Sequence, residues 1–139
     1  MALLNYYESQ FNQWRTTIDG FGAWEKLKAY FTLFYIFNTK FSGMCPLCAF
    51  ASDQAALPSS LKVALEKNSK IQGDWMLKII EQGQQQKEFR MDLPAQEVAE
   101  LILALGLGVQ LIARTLNDSD HIHRIIKQLK ILLKPISTR

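Results

Sequence analysis

Cys45 and Cys48 are the residues whose types and spacing most readily suggest chemistry in this chain. A C-x-x-C pair carries out thiol–disulfide exchange beside a β-α-β unit, or holds zinc together with two further cysteines or histidines. The sequence has no other cysteine, and its two histidines, His121 and His123, lie far along the chain. We therefore predict no metal and no cofactor, and interpret the thiols as small packing groups among aromatic side chains. Reversible disulfide formation under oxidation is the open alternative.

The other polar residues form no catalytic set. His121 and His123 are two positions apart, so on one helix their side chains point in different directions. The acidic residues are scattered singly, and the basic residues between 124 and 134 follow the spacing of a solvated helix face. We expect a protein that is not an enzyme.

Length and composition indicate a single globular domain over residues 1–139. The chain has 48% hydrophobic residues and a net charge of +3, which is too mild and too dispersed for a nucleic-acid surface. The most apolar run, Leu101 to Val109, is shorter than the ~20 residues of a membrane span, and the N-terminus lacks the basic start of a signal peptide. These features predict a cytoplasmic protein with reduced thiols and no membrane contact.

The elements that must position these residues are all helical. Apolar residues recur every three or four positions from Leu4 to Ile18, and again from Trp24 to about Asn38. A short helix is expected around the cysteines, a long one from Pro58, one from Pro94 to Leu116, and a last one after the Asn117–Asp120 stop. No stretch alternates with period two. The predicted class is all-α, with about six helices.

The last two helices are more apolar than one small subunit needs. The helix from Pro94 has aliphatic residues on two faces, and an exposed face would cost roughly 1.5–3 kcal/mol per large side chain. A four-helix interface between two copies would cover it, and a helix buried within one subunit is the alternative. The predicted dimer residues are Leu103, Ala104, Leu107, Gly108, Leu111, Ile122, Ile125, Ile126, Leu129, Leu132 and Leu133.

Aromatic residues are concentrated in the first 41 positions, which hold 12 of the 15. Eight of them lie between Phe21 and Phe41 and surround the second helix, so several elements must pack around it. The simpler interpretation is a filled aromatic core. The alternative is a cavity with aromatic walls and a few polar groups, which suits a small apolar or aromatic ligand.

Three stretches in this order resemble the C-terminal, ligand-binding and dimerisation domain of TetR/AcrR-type transcriptional regulators. The first is "GMCPLCAFASDQAALPSSLKVALEK", with a Gly, cysteines, an acidic residue and a Leu-Pro helix start. The second is "GQQQKEFRMDLPAQEVAELILALGLGVQLIAR", which leads into the family's eighth helix, and the third is "HIHRIIKQLKILL", at the ninth. Departures are Ala49 after the cysteine pair and Lys87 where a Gly is frequent.

The resemblance implies a helical bundle that senses a small molecule and dimerises through its last two helices. In such regulators DNA is bound only through an N-terminal helix-turn-helix domain, which we expect to be absent from this chain. A helical adaptor with a filled core is the alternative function. The candidate ligand-pocket residues are Phe31, Phe34, Tyr35, Asn38, Phe41, Cys45, Cys48, Gln72, Trp75, Met76, Ile79, Ile102 and Leu105.

Overall fold

The structure is a computed structural model that describes residues 2–41, 45, 48–50 and 53–137. Five α-helices with defined bounds follow one another: α1 (Ala2–Thr17), α2 (Ala23–Phe41), α3 (Ser59–Gln85), α4 (Ala95–Thr115) and α5 (Asp120–Leu133). Residues 48–50 are helical as well, and a 3-10 turn spans Gln54–Ala56. This part of the chain contains no strand, so the predicted all-α class is confirmed.

The core is built around α2, which packs against α3, α4 and α5. Its apolar residues come from the inner faces of all four helices, and the most enclosed among them are Phe31, Met76, Ile80, Ile102 and Ile122. α1 lies outside this arrangement and contacts α3. The helical periodicity of the sequence thus becomes a four-helix core with a fifth helix laid against it.

A close approach between α2 and α4 depends on Gly106. A Cβ atom at this position would lie 3.1 Å from Cε2 of Phe34, which is tighter than ordinary packing. The absence of a side chain lets α4 rest directly on the aromatic face of α2.

The end of α3 is determined by a second close contact. The ring of Phe89 crosses Gly83, where an added Cβ atom would lie only 2.1 Å from Cδ2 of Phe89. The Phe89 N–H donates to the Gly83 carbonyl at 2.9 Å, and Lys87 adopts a positive φ of 58° at the turn. The Arg90 N–H then donates to the Leu133 carbonyl at 2.8 Å, which joins this turn to the end of α5.

Two polar residues close to helix starts, Asp92 and Ser119, make contacts outside the helices that follow them. Asp92 does not cap α4 but forms an ion pair with Arg90 at 2.6 Å. Ser119 precedes α5 without a capping hydrogen bond to the helix, and its hydroxyl donates to Oδ1 of Asn38 on α2. The loop before α5 is therefore attached to α2 as well as to the start of its own helix.

α4 is long and apolar enough to cross a bilayer by length and composition, the one such helix in the described ranges. A core helix of a helical bundle meets the same two criteria, and the inner side of α4 packs against α2, α3 and α5. Leu101, Leu111 and Ile112 remain exposed on its other sides.

Candidate functional site

A cavity of about 460 Å³ lies between α1 and α2. Most of its lining side chains are aromatic, and none of the lining residues is charged. They recur every three or four positions along each helix, so both helices turn one face to the cavity. We call this the aromatic cavity; its lining residues are Leu3, Tyr6, Tyr7, Gln10, Phe11 and Trp14 from α1 and Tyr30, Leu33, Phe34 and Phe37 from α2.

Ring contacts hold the inner wall of the aromatic cavity in place. Trp75 of α3 makes edge-to-face contacts with Phe11, Trp14 and Tyr30, at centroid distances of 5.4, 5.7 and 5.7 Å. Tyr30 packs in the same manner on Phe34 at 4.7 Å. Such contacts favour one relative orientation of the rings, so the wall is shaped before any ligand binds.

A chain of uncharged polar groups borders the aromatic cavity on the side of the cysteines. Nε2 of Gln72 donates to the Tyr7 hydroxyl at 3.0 Å, and this hydroxyl lies 2.9 Å from Sγ of Cys45. The Cys45 N–H donates to Oε1 of Gln110 at 2.6 Å. Nε2 of Gln110 in turn donates to the Gly106 carbonyl at 2.9 Å and to Sγ of Cys48 at 3.4 Å. These bonds connect α1, α3 and α4 through the cysteine segment.

Cys48, Tyr7 and Tyr30 have raised pKa values and therefore remain protonated at neutral pH. A hydrogen bond with Cys45, followed by burial, raises the pKa of the Cys48 thiol. Burial, with Cys45 as the next cause, raises the pKa values of Tyr7 and Tyr30 well above their ordinary value. No disulfide joins the two cysteines. Because the thiolate is the reactive form of cysteine, a raised pKa makes Cys48 a poor nucleophile.

A second apolar surface lies between α4 and α5, on the outside of the bundle. It is a shallow groove of about 240 Å³, and its aliphatic lining contains the small residues Ala104 and Gly108. A Cβ atom added at Gly108 would meet nothing within 4 Å, so the groove is open at this point. We call this the α4–α5 groove; it is lined by Leu101, Ala104, Leu105, Gly108, Val109, Ile112, His121 and Ile125.

Comparisons with known proteins agree with this architecture. A family model described as "Tetracyclin repressor-like, C-terminal domain" matches residues 23–129, which is most of the chain. The chain belongs to this family. It is also similar to the crystal structure of a TetR-family transcriptional regulator from Agrobacterium tumefaciens, with a TM-score of 0.88 and 19% identity over 96% of this chain and 72% of that chain. At that identity the likeness shows the fold. No curated protein matches the chain.

The family and the TetR-like fold inferred from the three sequence stretches are thus confirmed. Among the predicted pocket residues whose side chains the structure describes, Phe34 is the one that lines the aromatic cavity. Trp75 supports its wall, and Cys45, Cys48 and Gln72 belong to the bordering polar chain.

The remaining predicted pocket residues lie elsewhere in the TetR-like domain. Four of them are buried in the core cluster that α2, α3 and α4 share; these are Phe31, Met76, Ile79 and Ile102. Tyr35 packs on His123 at 4.3 Å and Asn38 bonds Ser119, so both face the α5 end. Leu105 lines the α4–α5 groove on the outside. The side chain of Phe41 is outside the described part of the structure.

The sequence-based reasoning missed the contribution of α1 to the aromatic cavity. Tyr7, Phe11 and Trp14 were read as the inner face of an ordinary amphipathic helix. The sequence feature that could have indicated this wall is the number of aromatic residues in the helix. It is larger than a helix needs when it contacts the core along one side only. Gln110 was also missed, although a polar residue inside the aliphatic run of α4 indicates a buried hydrogen-bonding partner.

Six of the eleven predicted dimer residues reach the surface. Ala104, Gly108 and Ile125 line the α4–α5 groove, and Leu132 is 63% exposed two turns after Ile125. The other two of the six, Leu107 and Leu111, lie on the adjoining side of α4, 37% and 43% exposed.

The other five predicted dimer residues pack within the subunit. The stripe of α5 that was assigned to a partner covers the domain's own α2 and α4; it comprises Ile122, Ile126, Leu129 and Leu133. Leu103 points towards α3, where its Cδ1 lies 3.9 Å from the Cβ position of Gly73. Periodicity shows which side of a helix is apolar, but it does not show whether a partner or the same subunit covers it.

His121 and His123 both lie in the first turn of α5. Among the described residues, no three His, Cys, Asp or Glu side chains form a group that would hold a metal ion. Nε2 of His121 is enclosed without a hydrogen bond at the edge of the α4–α5 groove.

Proposed function

We propose that this chain is the small-molecule-sensing and dimerising domain of a cytoplasmic TetR-like transcriptional repressor, and not an enzyme. In this proposal a small apolar or aromatic ligand binds in the aromatic cavity. Its binding alters DNA binding by helix-turn-helix heads, which in this family belong to an N-terminal domain. No residue of the present segment is assigned to DNA contact.

The aromatic cavity is the observation that carries the proposal. A volume of about 460 Å³ is within the range of small-molecule sites, and its lining is apolar with a few uncharged polar groups at one side. A helical adaptor with a filled core, which is the alternative, needs no such space.

α1 is positioned to transmit the presence of a ligand. It supplies one wall of the aromatic cavity and is held to the bundle by ring contacts with Trp75 and by the bond between Tyr7 and Gln72. In a TetR-like regulator the corresponding helix connects to the DNA-binding heads, so a ligand between α1 and α2 would favour one position of that helix. Moving a two-state equilibrium from 1:99 to 99:1 requires about 10⁴-fold preference of the ligand for one state.

Dimerisation is supported by the α4–α5 groove. Its aliphatic residues, including Leu101 at 58% and Ile112 at 44% exposure, form an open apolar surface. Ala104 and Gly108 allow another helix to approach closely. A second copy related by a two-fold axis would place the same groove against itself and cover both.

The test is binding of the neutral fluorescent probe N-phenyl-1-naphthylamine, followed by its fluorescence and by the Tm of the protein. We expect saturable binding to the wild-type chain and a rise in Tm with probe concentration, because a ligand of the folded state stabilises that state. Leu33→Trp places an indole at the cavity wall and should abolish both signals.

The matched control is Val63→Trp, which adds the same side chain at a position of α3 that is 68% exposed and away from the cavity. This variant should bind the probe as the wild-type chain does. Equal binding by Leu33→Trp and Val63→Trp would place the probe elsewhere and contradict the proposal.

A further inference from the structure

The thiols of Cys45 and Cys48 lie in contact, one helical turn apart. The Ala49 N–H donates to the Cys45 carbonyl at 3.1 Å, which is the bond of a helical turn, and residues three apart on a turn lie on the same side. A hydrogen bond joins the two side chains, and no disulfide is formed between them. Two sulfurs in hydrogen-bond contact need only a change of side-chain rotamers to form a disulfide.

Sγ of Cys45 is the sulfur to which neighbouring donors point. The Tyr7 hydroxyl lies 2.9 Å from it and already accepts a bond from Nε2 of Gln72, so the hydroxyl hydrogen is available for the sulfur. Burial, followed by the contact with Cys45, raises the pKa of Tyr7, which therefore keeps its proton. The raised pKa of Cys48 keeps the proton of the bond between the thiols on Cys48. Hydrogen bonds donated to a sulfur favour its thiolate form, so Cys45 is the more nucleophilic thiol.

Cys48 is held in the position of a second reactant. Nε2 of Gln110 donates to Sγ of Cys48 at 3.4 Å, and Oε1 of the same side chain accepts from the Cys45 N–H at 2.6 Å. One residue of α4 thus holds both cysteines beside each other. A protonated thiol attacks weakly, but contact with the sulfur that it must attack makes the step effectively unimolecular.

The surroundings of the pair determine which oxidant fits. Cys45 is 3% exposed, so a bulky molecule does not reach its sulfur. The side chains bonded to the two thiols in the described part of the chain include Tyr7 and Gln110, which are uncharged. An ionic oxidant would lose its hydration there without gaining a counter-charge. A small uncharged oxidant such as a peroxide meets both conditions.

We propose that Cys45 and Cys48 form an oxidation site at which a small peroxide converts the two thiols to a disulfide. The Cys45 thiolate attacks one peroxide oxygen: the S–O bond forms as the O–O bond breaks, and the hydroxide released takes up the proton that the Cys45 thiol lost. The Cys48 sulfur then attacks the Cys45 sulfur. The S–S bond forms, the S–O bond breaks, and the Cys48 proton leaves with the hydroxyl group as water.

In total the two sulfurs are oxidised, and one peroxide is reduced to two molecules of water. Since the Tyr7 hydroxyl donates to the sulfur that reacts, the oxidation acts on an attachment of α1. The inference goes beyond the proposed function, because the thiol chemistry requires neither a ligand in the aromatic cavity nor a dimer.

The test is treatment of the reduced wild-type chain with hydrogen peroxide, followed by alkylation with iodoacetamide and intact-mass measurement. We expect both thiols to be lost together, the mass of a single chain to be retained, and the thiols to return with dithiothreitol. Oxidised glutathione at the same concentration should leave both thiols in place, because it is charged and too large to reach Cys45.

Variants with one cysteine test the order of the two steps. Cys48→Ser keeps Cys45 and lacks the second thiol, so its oxidation should stop at the sulfenic acid, which dimedone labels. Cys45→Ser keeps the protonated Cys48 and should take up at least about tenfold less dimedone in the same time.

Tyr7→Phe removes a donor to Cys45 and should slow the loss of thiols about tenfold. Unfolding does not explain such a result, because it would expose the thiols and speed their oxidation. The matched control is Tyr6→Phe, which removes a hydroxyl from a position of the same helix that is 64% exposed, and it should keep the wild-type rate.

Retention of both thiols under peroxide treatment that oxidises N-acetylcysteine completely would overturn the inference. A disulfide between two chains, equal dimedone labelling of Cys48→Ser and Cys45→Ser, or the wild-type rate in Tyr7→Phe would contradict it as well.

Discussion

The aromatic cavity and the α4–α5 groove are both apolar, but they differ in side chains and in surroundings. The cavity is lined mainly by large rings that meet edge to face and leave a volume of about 460 Å³ between two helices of one subunit. The groove is lined by aliphatic and small residues and opens to the outside of the bundle. Rigid rings cannot collapse into every gap and so preserve a space, whereas a smooth aliphatic surface is suited to close contact with another helix.

The largest expected effect comes from placing a charge in the α4–α5 groove. In a two-fold dimer Leu101→Glu brings two carboxylates into one apolar interface, and each unpaired buried charge costs several kcal/mol. The dimer Kd measured by sedimentation should therefore rise at least about a thousandfold. Val63→Glu puts the same charge on an exposed position of α3 and should leave the dimer intact. A Leu101→Glu chain that still sediments as a dimer would remove the groove from the interface.

Truncation of Trp75 tests the aromatic cavity, whose wall this ring supports. Trp75→Ala removes the ring that contacts Phe11, Trp14 and Tyr30, and should lower the free energy of unfolding by about 3 kcal/mol. Leu132→Ala, at a side chain 63% exposed, should change it by less than about 0.5 kcal/mol. Denaturant unfolding in the monomeric Leu101→Glu background separates these values from dimer dissociation. Similar losses in the two variants would mean that the rings do not hold the cavity wall.

The pH dependence of stability should distinguish the two regions. The pKa values of Cys48, Tyr7 and Tyr30 are raised in the folded state. Their protonated forms therefore contribute fully to the free energy of unfolding below the ordinary pKa values of 9.0 for Cys and 10.0 for Tyr, and this contribution is lost as the pH rises above those values. Stability should fall by up to about 1.4 kcal/mol per pH unit for each such group. Cys48→Ala should reduce the slope measured by denaturant unfolding, and Cys48→Ala with the wild-type slope would contradict the assignment.

Over the same alkaline range the dimer Kd should stay constant, because no thiol or phenol lines the α4–α5 groove. Sedimentation of the wild-type chain at each pH provides this comparison. A Kd that rises in parallel with the loss of stability would show that the two regions are not independent.

The smallest expected effect concerns Gly108. Within the subunit an alanine fits there without contact, so Gly108→Ala should raise the unfolding free energy of the monomer by about 1 kcal/mol through helix propensity. In the dimer the added methyl group would hold the partner helix away, and the Kd should rise about tenfold. Gly73→Ala is the matched control, since its Cβ atom makes only an ordinary contact with Leu103 inside the subunit. An unchanged Kd for Gly108→Ala would mean that no helix approaches at this residue.

The helices themselves were predictable to within a few residues. The apolar spacing from Leu4 to Ile18 corresponds to α1, and the Pro94 start corresponds to α4. The long helix from Pro58 continues through Gly73, because one glycine costs only about 1 kcal/mol in a helix with a well-packed face. Local spacing and turn residues suffice for these features, since both act over a few positions.

The candidate site was less predictable. Of the residues predicted to line a ligand pocket, Phe34 lies in the aromatic cavity, while Phe31, Met76, Ile79 and Ile102 are buried in the core; the α1 residues of the cavity were not among those predicted. Similarly, Ile122 and Leu129 were assigned to a partner subunit although they cover α2 and α4 of their own. The sequence of an apolar helix face does not show which element packs against it. Whether a residue lies in the core, in a cavity or at a subunit interface therefore depends on how the helices are arranged.

What the sequence by itself determined is the helical class, the order of the helices, the concentration of aromatic residues near the N-terminus and the membership of a TetR-like family. Only the tertiary structure decided that α1 stands away from α2 and leaves a cavity between them. It also decided that Gln72, Gln110 and Cys45, with the hydroxyl of Tyr7, form one hydrogen-bonded chain. The physical reason is distance along the chain: Tyr7 and Gln72 are 65 positions apart, and no local pattern reports contacts at that separation.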